Sequence, residues 1–298
     1  MAVRATAAVA DSEEILFENT KVSLCLLLNR HARTLRIFDF RAGADPTKRG
    51  YVLSIAQREG VERVFTVVER DEVSVWSRLG FAREGTIPGF FKRSDAYVLG
   101  ASVPPALAGD SPKLADAATS WEAVAEKTHQ EAKRIAKDLP APSPRAVRGQ
   151  PATDAIVKKA VSAAVRSGRA LTQFDAFGRD VVRDDHQFTA RGGFSLIASV
   201  ERQPCFDNAF VELLTAPRTE RDAALTHAAL RQLCDKLGQS GTVACFAVSP
   251  IEDATLAALY LANGFRRTGT LPEHLLVGGR RVGAFLWTQK LANPKDDE

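Results

Sequence analysis

Cysteine, long apolar runs and charge of one sign are all scarce in this 298-residue chain, and each shortage excludes something. The four cysteines (Cys25, Cys205, Cys234 and Cys245) form no C-x-x-C, and no histidine stands at zinc-ligand spacing from them. Reduced thiols are expected, with neither disulfides nor a bound metal. The longest apolar run, near Leu24 to Leu28, falls far short of the roughly 20 residues a membrane-spanning helix needs. Met1 to Asp11 is Ala-rich, with no apolar h-region and no cleavage signal, so it reads as a disordered lead-in to a cytoplasmic protein. Forty Lys and Arg against 36 Asp and Glu leave a net charge of only +4. With no interleaving of basic and aromatic residues, that balance disfavours a nucleic-acid partner.

What is present is ordinary globular material: 45% hydrophobic and 26% charged residues exclude wholesale disorder. Length alone suggests about two domains at roughly 150 residues each, and composition shows where they part. From Ser111 to Leu139 the apolar residues Trp121, Val124, Ala125, Ala132 and Ile135 share one face of a predicted helix. Pro140, Pro142, Pro144 and Pro151 follow and interrupt regular structure. The chain divides into halves at 12–100 and 152–292, joined by a helical, Pro-rich connector at 101–151.

Each half repeats a strand–helix order. In the first, strands at 35–40 and 63–68 flank a helix at 51–58, then a helix at 73–79 precedes a strand pair ending at 97–99. In the second, strands at 194–200 and 210–214 precede a helix at 223–237, a strand at 243–248, a helix at 253–261 and a strand at 281–287. Short connections between alternating strands and helices predict mixed α/β layers. The halves also match in sequence. Gly80-Phe81-Ala82-Arg83-Glu84-Gly85-Thr86-Ile87-Pro88 aligns with Gly264-Phe265-Arg266-Arg267-Thr268-Gly269-Thr270-Leu271-Pro272, six of nine identical at an offset of 184, and the same offset pairs Trp76 with Tyr260. An internal duplication is expected.

A helix ending Leu259-Tyr260-Leu261-Ala262-Asn263-Gly264-Phe265, followed by a strand, resembles the C-terminal half of the GNAT acetyltransferase fold. A narrower resemblance is to the β-lysine N-acetyltransferase family. It rests on Ile87-Pro88-Gly89-Phe90-Phe91 with Asp95-Ala96-Tyr97, and on Gly269-Thr270-Leu271, Gly278-Gly279 and the strand carrying Trp287. The stretch from Gly100 to Pro151 lies outside it. The resemblance implies an α/β fold of two GNAT-like mixed-sheet domains in tandem.

It also implies acetyl-CoA as cofactor, its pyrophosphate received on backbone N–H groups where a strand enters a helix. That place is Thr215 to Leu225, and the implied cofactor-binding set is Leu213, Leu214, Thr215, Arg218, Arg221 and Ala223. The motif is altered: Glu220 stands where the family has a basic residue or Gln, Ala223 where it has Gly, and Leu225 where it has Gly or Ala. A carboxylate about 5 Å from a phosphate charge costs roughly 1–3 kcal/mol, which Arg218 and Arg221 can offset. An ordinary β–α turn is the other reading of this loop. In the first half, Asp45-Pro46-Thr47-Lys48-Arg49-Gly50 offers no recognisable cradle.

By the same resemblance Tyr260 is the acid that protonates the departing thiolate. Trp76, its counterpart, has no such proton, so catalysis belongs to the second half. Glu212 is the candidate base, since alternation along its strand sends it to the face opposite Val211 and Leu213. A packed tyrosine and a solvated glutamate are the plain alternatives. Glu273 and His274, after Leu271-Pro272, stand where the family contacts substrate, and their identity argues against β-lysine itself. His31, His129, His186 and His227 receive no role, and Asp184-Asp185-His186 reads as a solvated loop. Two functions follow. One is an acetyl-CoA-dependent N-acetyltransferase acting on a small, amino-acid-like amine. The other is a catalytically inactive pseudo-acetyltransferase serving as a protein-binding or regulatory module, with a partner or a homodimer docked on the Trp121 stripe. Packing on the second half is the favoured reading of that stripe.

Overall fold

The computed structural model describes residues 12–292 other than 42, 93, 104–113 and 144, with the side chains of 114–120 and 204 also set aside. The expected lead-in, Met1 to Asp11, and Pro144 lie outside these residues. The first half runs β1 (Ser12–Glu18), β2 (Ser23–Asn29), β3 (Thr34–Asp39), α1 (Pro46–Arg58), β4 (Arg63–Val68), α2 (Val73–Arg78), β5 (Ala82–Ile87) and β6 (Ala96–Ser102). Helix α3 (Leu114–Asp138) leads to β7 (Arg148–Pro151) and α4 (Asp154–Arg166). The second half then repeats the pattern as β8 (Val182–Ala190), β9 (Phe194–Gln203), β10 (Asn208–Leu213), α5 (Glu220–Gln239), β11 (Ala244–Pro250), α6 (Ala254–Ala262), β12 (Arg266–Val277) and β13 (Arg280–Lys290).

All thirteen strands form one sheet in the order β1-β2-β3-β4-β6-β5-β12-β13-β11-β10-β9-β8-β7. Apart from the added β7, that order reads alike from either side of the β5–β12 seam. In each half one parallel pair, β3 with β4 and β10 with β11, interrupts an otherwise antiparallel arrangement. At the seam Gly85 pairs with Gly269, its own counterpart at the offset of 184. A Cβ on Gly269 would lie 2.6 Å from both the Glu84 carbonyl oxygen and the Gly85 Cα, so these strands approach closely only because both residues lack side chains. Both strands slip register at the same place, between Arg83 and Gly85 in β5 and between Arg267 and Gly269 in β12.

The duplication extends to packing. Trp76 meets Phe81 edge-on at 4.9 Å and 81°, and Tyr260 meets Phe265 at 5.1 Å and 78°. Gly80 and Gly264 follow the two helices at φ 86° and 87°, a conformation favouring glycine. A shared core joins the halves: Ile87, Phe90, Ala96 and Val98 pack with Phe210, Phe246, Leu271, Ala284 and Leu286. Asn208 Nδ2 donates 2.7 Å to the Phe90 carbonyl across this contact.

The connector helix packs on the second half. Trp121, Ala125, Ala132 and Ile135 join its core, whereas Val124 is exposed. Arg267 holds the helix from β12 with ion pairs to Glu122 and Glu126 at 2.6 and 3.0 Å. The stripe is therefore covered within the chain, and among the described residues it offers no free docking face. Three further expectations change. Asp184, Asp185 and His186 lie inside β8, not in a loop, with His186 buried opposite Ala198. Helix α1 begins at Pro46, not at Tyr51: Asp45 caps it by accepting from the Thr47 N–H at 2.9 Å, and Pro46 is its first residue. Strands β1, β2, β7 and β8 and helix α4 have no counterpart among the elements expected from the sequence. Among the described residues no helix is long and apolar enough to cross a membrane.

Candidate active site

The parallel ladder between β10 and β11 ends at Val211 and Ala247, although the strands run on to Leu213 and Pro250. Beyond that point they separate, and Glu212, Leu213 and Val248 line a cavity of about 400 Å³. Strand alternation turns Glu212 into it. The carboxylate is 8% exposed, accepting from Thr172 Oγ1 at 2.5 Å and from Arg183 Nη1 at 3.0 Å. Burial pushes its pKa up to about 7 against the opposing pull of Arg183 and Thr172. A carboxylate poised there takes up and releases a proton near neutral pH.

Arg183 links this group to a second buried carboxylate, Glu201, at 2.7 Å. Glu201 also accepts from the Phe177 and Gly178 N–H groups at 2.8 and 2.7 Å. The opposite wall comes from the first half: Arg36 and Phe65, on β3 and β4, and His31, which meets Asp175 at 3.4 Å. His274 lines the cavity with its ring 5.0 Å from Phe65, edge-on, and its Nδ1 is sealed from solvent without a partner. Burial, then the charges of Arg63 and Arg281, push its pKa down to about 3, so the ring is neutral. The structure thus brings His274 and Glu212 to one cavity. Glu273 turns elsewhere: at φ 49° it accepts from Ser102 Oγ at 2.7 Å and does not line the cavity.

The turn from β10 into α5 is the expected cofactor mouth. Thr219 caps the helix by accepting from the Asp222 N–H at 3.0 Å. Ala223 is buried in the core, its N–H bonded to the Thr219 carbonyl at 2.9 Å, so neither its methyl nor its amide faces a ligand. The Leu214 carbonyl accepts from the Leu171 N–H at 2.9 Å, and Thr215 bridges Ala170. Arg221 reaches away, donating to the Arg191 carbonyl at 2.5 Å. Arg218 remains at the mouth beside Arg169, a residue the sequence reading missed. Burial and then the neighbouring Arg218 depress the Arg169 pKa, with Asp222 opposing. Two adjacent cations, neither forming an ion pair among the described residues, stand beside the α5 N-terminus, whose first turn also carries Glu220 and Asp222.

Tyr260 is 1% exposed, stacked on Trp287 at 5.6 Å and 14°, and does not line the cavity. Burial, aided by Cys234, Glu212 and Cys245, raises its pKa and keeps the hydroxyl protonated. The first half lacks equivalent chemistry. β3 pairs with β4 over four residues from Thr34 as β10 pairs with β11 from Asn208, so Phe38 holds the place of Glu212. Trp76 holds that of Tyr260. Lys48, fully buried in the first turns of α1, reaches the Asp39 carboxylate and the Arg41 carbonyl at the end of β3.

No family model matches the chain, and no curated protein matches it. Among solved structures it is similar to the ribosomal-protein-S18-alanine N-acetyltransferase from Escherichia coli, at 16% identity and a TM-score of 0.39 over 51% of this chain and 98% of that one. It is also similar to the spermidine N-acetyltransferase from Vibrio cholerae, solved with CoA and spermine. That likeness has 10% identity and a TM-score of 0.40 over 50% of this chain and 97% of that one. The fold of this chain is mixed α/β, with two similarly ordered units sharing one sheet.

Four residues of the site, Arg36, Arg169, Thr172 and Arg183, carried no motif. Arg36 left no signal either, because its alternation with Leu35 and Ile37 reads as the solvated face of an ordinary strand.

Proposed function

We propose that the chain is an acetyl-CoA-dependent N-acetyltransferase acting on a small, amino-acid-like amine. Its chemistry is confined to the C-terminal unit, 152–292, with 12–100 as a non-catalytic partner unit and 101–151 as connector. The carrying observation is Glu212, a buried carboxylate with its pKa near 7 at the point where β10 and β11 part. Acetyl-CoA supplies the acetyl group activated as a thioester. Arg169 and Arg218 suit its diphosphate as charge, in a mouth that lacks the glycine cradle. Glu212 takes a proton from the attacking amine, and Tyr260 gives its proton to the departing sulfur, a step that requires its buried hydroxyl to become accessible from the cavity. Calorimetric titration with CoA tests the cofactor assignment. Binding that weakens at least tenfold in Arg169→Ala/Arg218→Ala and tightens in Glu220→Arg is the expected result. No heat at millimolar CoA overturns it. A second reading, the inactive pseudo-acetyltransferase, has one observation in its favour: Leu171 and Ala170 already occupy the Leu214 carbonyl and the Thr215 backbone.

A further inference from the structure

Arg36 stands in the cavity wall with no ion pair among the described residues, the Glu201 carboxylate acting on it only from a distance. The residue is 5% exposed, and its guanidinium lies between the rings of Phe38 and Phe177, at 4.5 and 4.0 Å from their centroids. Its one hydrogen bond goes to the Phe177 carbonyl, and its Nε has no partner. Burial pulls its pKa down to about 9, with Glu201 opposing. Every carboxylate around the cavity is engaged elsewhere. Glu201 holds Arg183 and two main-chain amides, Glu212 holds Arg183 and Thr172, and Asp175 meets His31. Among the described residues Arg36 forms no ion pair. A guanidinium taken out of water without a directly bonded anion is costly, and stacking between aromatic faces fixes its plane without supplying one. Nothing in the repeat requires it, for the residue at the same place in β10 is Phe210, which lines the cavity too.

We propose that Arg36 binds a carboxylate of the acceptor, so that the non-catalytic unit selects amines that carry an acid group over simple amines. The inference rests on the acetyltransferase reading for the identity of the ligand's other end, the amine placed toward Glu212. It concerns binding alone and can be tested without acetyl transfer.

The probes are 5-aminopentanoate and its counterpart without the acid, pentylamine, followed by calorimetry or ligand-observed NMR on the full chain. Wild type is expected to bind 5-aminopentanoate at least tenfold tighter than pentylamine. Arg36→Met should abolish that preference through loss of a charge-assisted fork, and Arg36→Lys should retain part of it. Circular dichroism and CoA titration on each variant report the fold and the cofactor mouth separately. Equal binding of the two probes by wild type overturns the proposal, as does a preference that survives in folded Arg36→Met. Should Arg36→Met fail to fold, Arg36→Lys together with the wild-type preference decides. Intact CoA binding with no carboxylate preference defeats this inference and spares the acetyltransferase reading. Carboxylate preference without CoA binding does the reverse.

Discussion

Glu212 shows how much of a site one residue can hold, and how little of that is written beside it. Its strand and its face follow from alternation around Val211 and Leu213. Its acid strength does not, because that comes from Thr172, Arg183 and burial under a wall contributed by the first half. With a folded pKa near 7, the base is active when deprotonated. The acid limb of kcat/KM is therefore expected to rise about tenfold per pH unit and level off near 7, and Glu212→Gln should lose about 10²–10⁴ of the rate. A profile flat from pH 5 to 8 in the wild type would remove Glu212 from this role. Stability runs the other way. The folded state keeps a proton that the unfolded chain has released by about pH 4.5, so the wild type loses stability as pH rises from there through 7. Glu212→Gln should accordingly gain stability relative to wild type between pH 5 and 8 in urea titrations. His274 has the opposite sign: its depressed pKa costs stability as pH falls below about 6.5.

Elements were legible where periodicity or repetition marked them. The 80–88 and 264–272 match announced the duplication, yet its purpose is visible only once β5 and β12 lie side by side. Pairing between residues 184 apart leaves no local trace. β2 went unread because its apolar residues come as a run rather than an alternation, Leu24 to Leu28 being buried throughout, and β1 because only Ile15, Leu16 and Phe17 stand between glutamates. At α1 the signal existed, an Asp-Pro cap, and it places the helix start five residues before Tyr51. The seam makes a specific demand. Gly269→Ala places a methyl against backbone on the facing strand, which cannot rotate away. A destabilisation of about 1–3 kcal/mol is expected, read as a lowered melting temperature. Gly50→Ala, with open space around an exposed helical position, should instead gain about 0.5–1 kcal/mol. Equal behaviour of the two variants would mean that the strands at the seam do not meet as described.

Across the whole molecule, the site and the stability depend on the same junction. The cavity takes Glu212 from one half and Arg36 from the other, so its geometry lasts only while the halves stay docked. Among the contacts that hold them are the ladder at Gly85, the shared apolar core, the Asn208 bond to Phe90, the ion pair of Arg179 with Glu14 at 3.0 Å, and Arg281. The last reaches from β13 to the carbonyls of Ala32 and Arg33, at 2.5 and 2.7 Å, and to Glu62 at 2.8 Å. Phe90 is 2% exposed and belongs to that shared core rather than to the core of its own half. If the junction couples the halves, heating should give one transition with equal calorimetric and van't Hoff enthalpies. Phe90→Ala, costing about 3–5 kcal/mol, should move the whole transition down. Two independent units would respond differently. The transition would split, and only the component carrying the first half would shift, leaving the second half folded with Glu212 in place and the Arg36 wall gone.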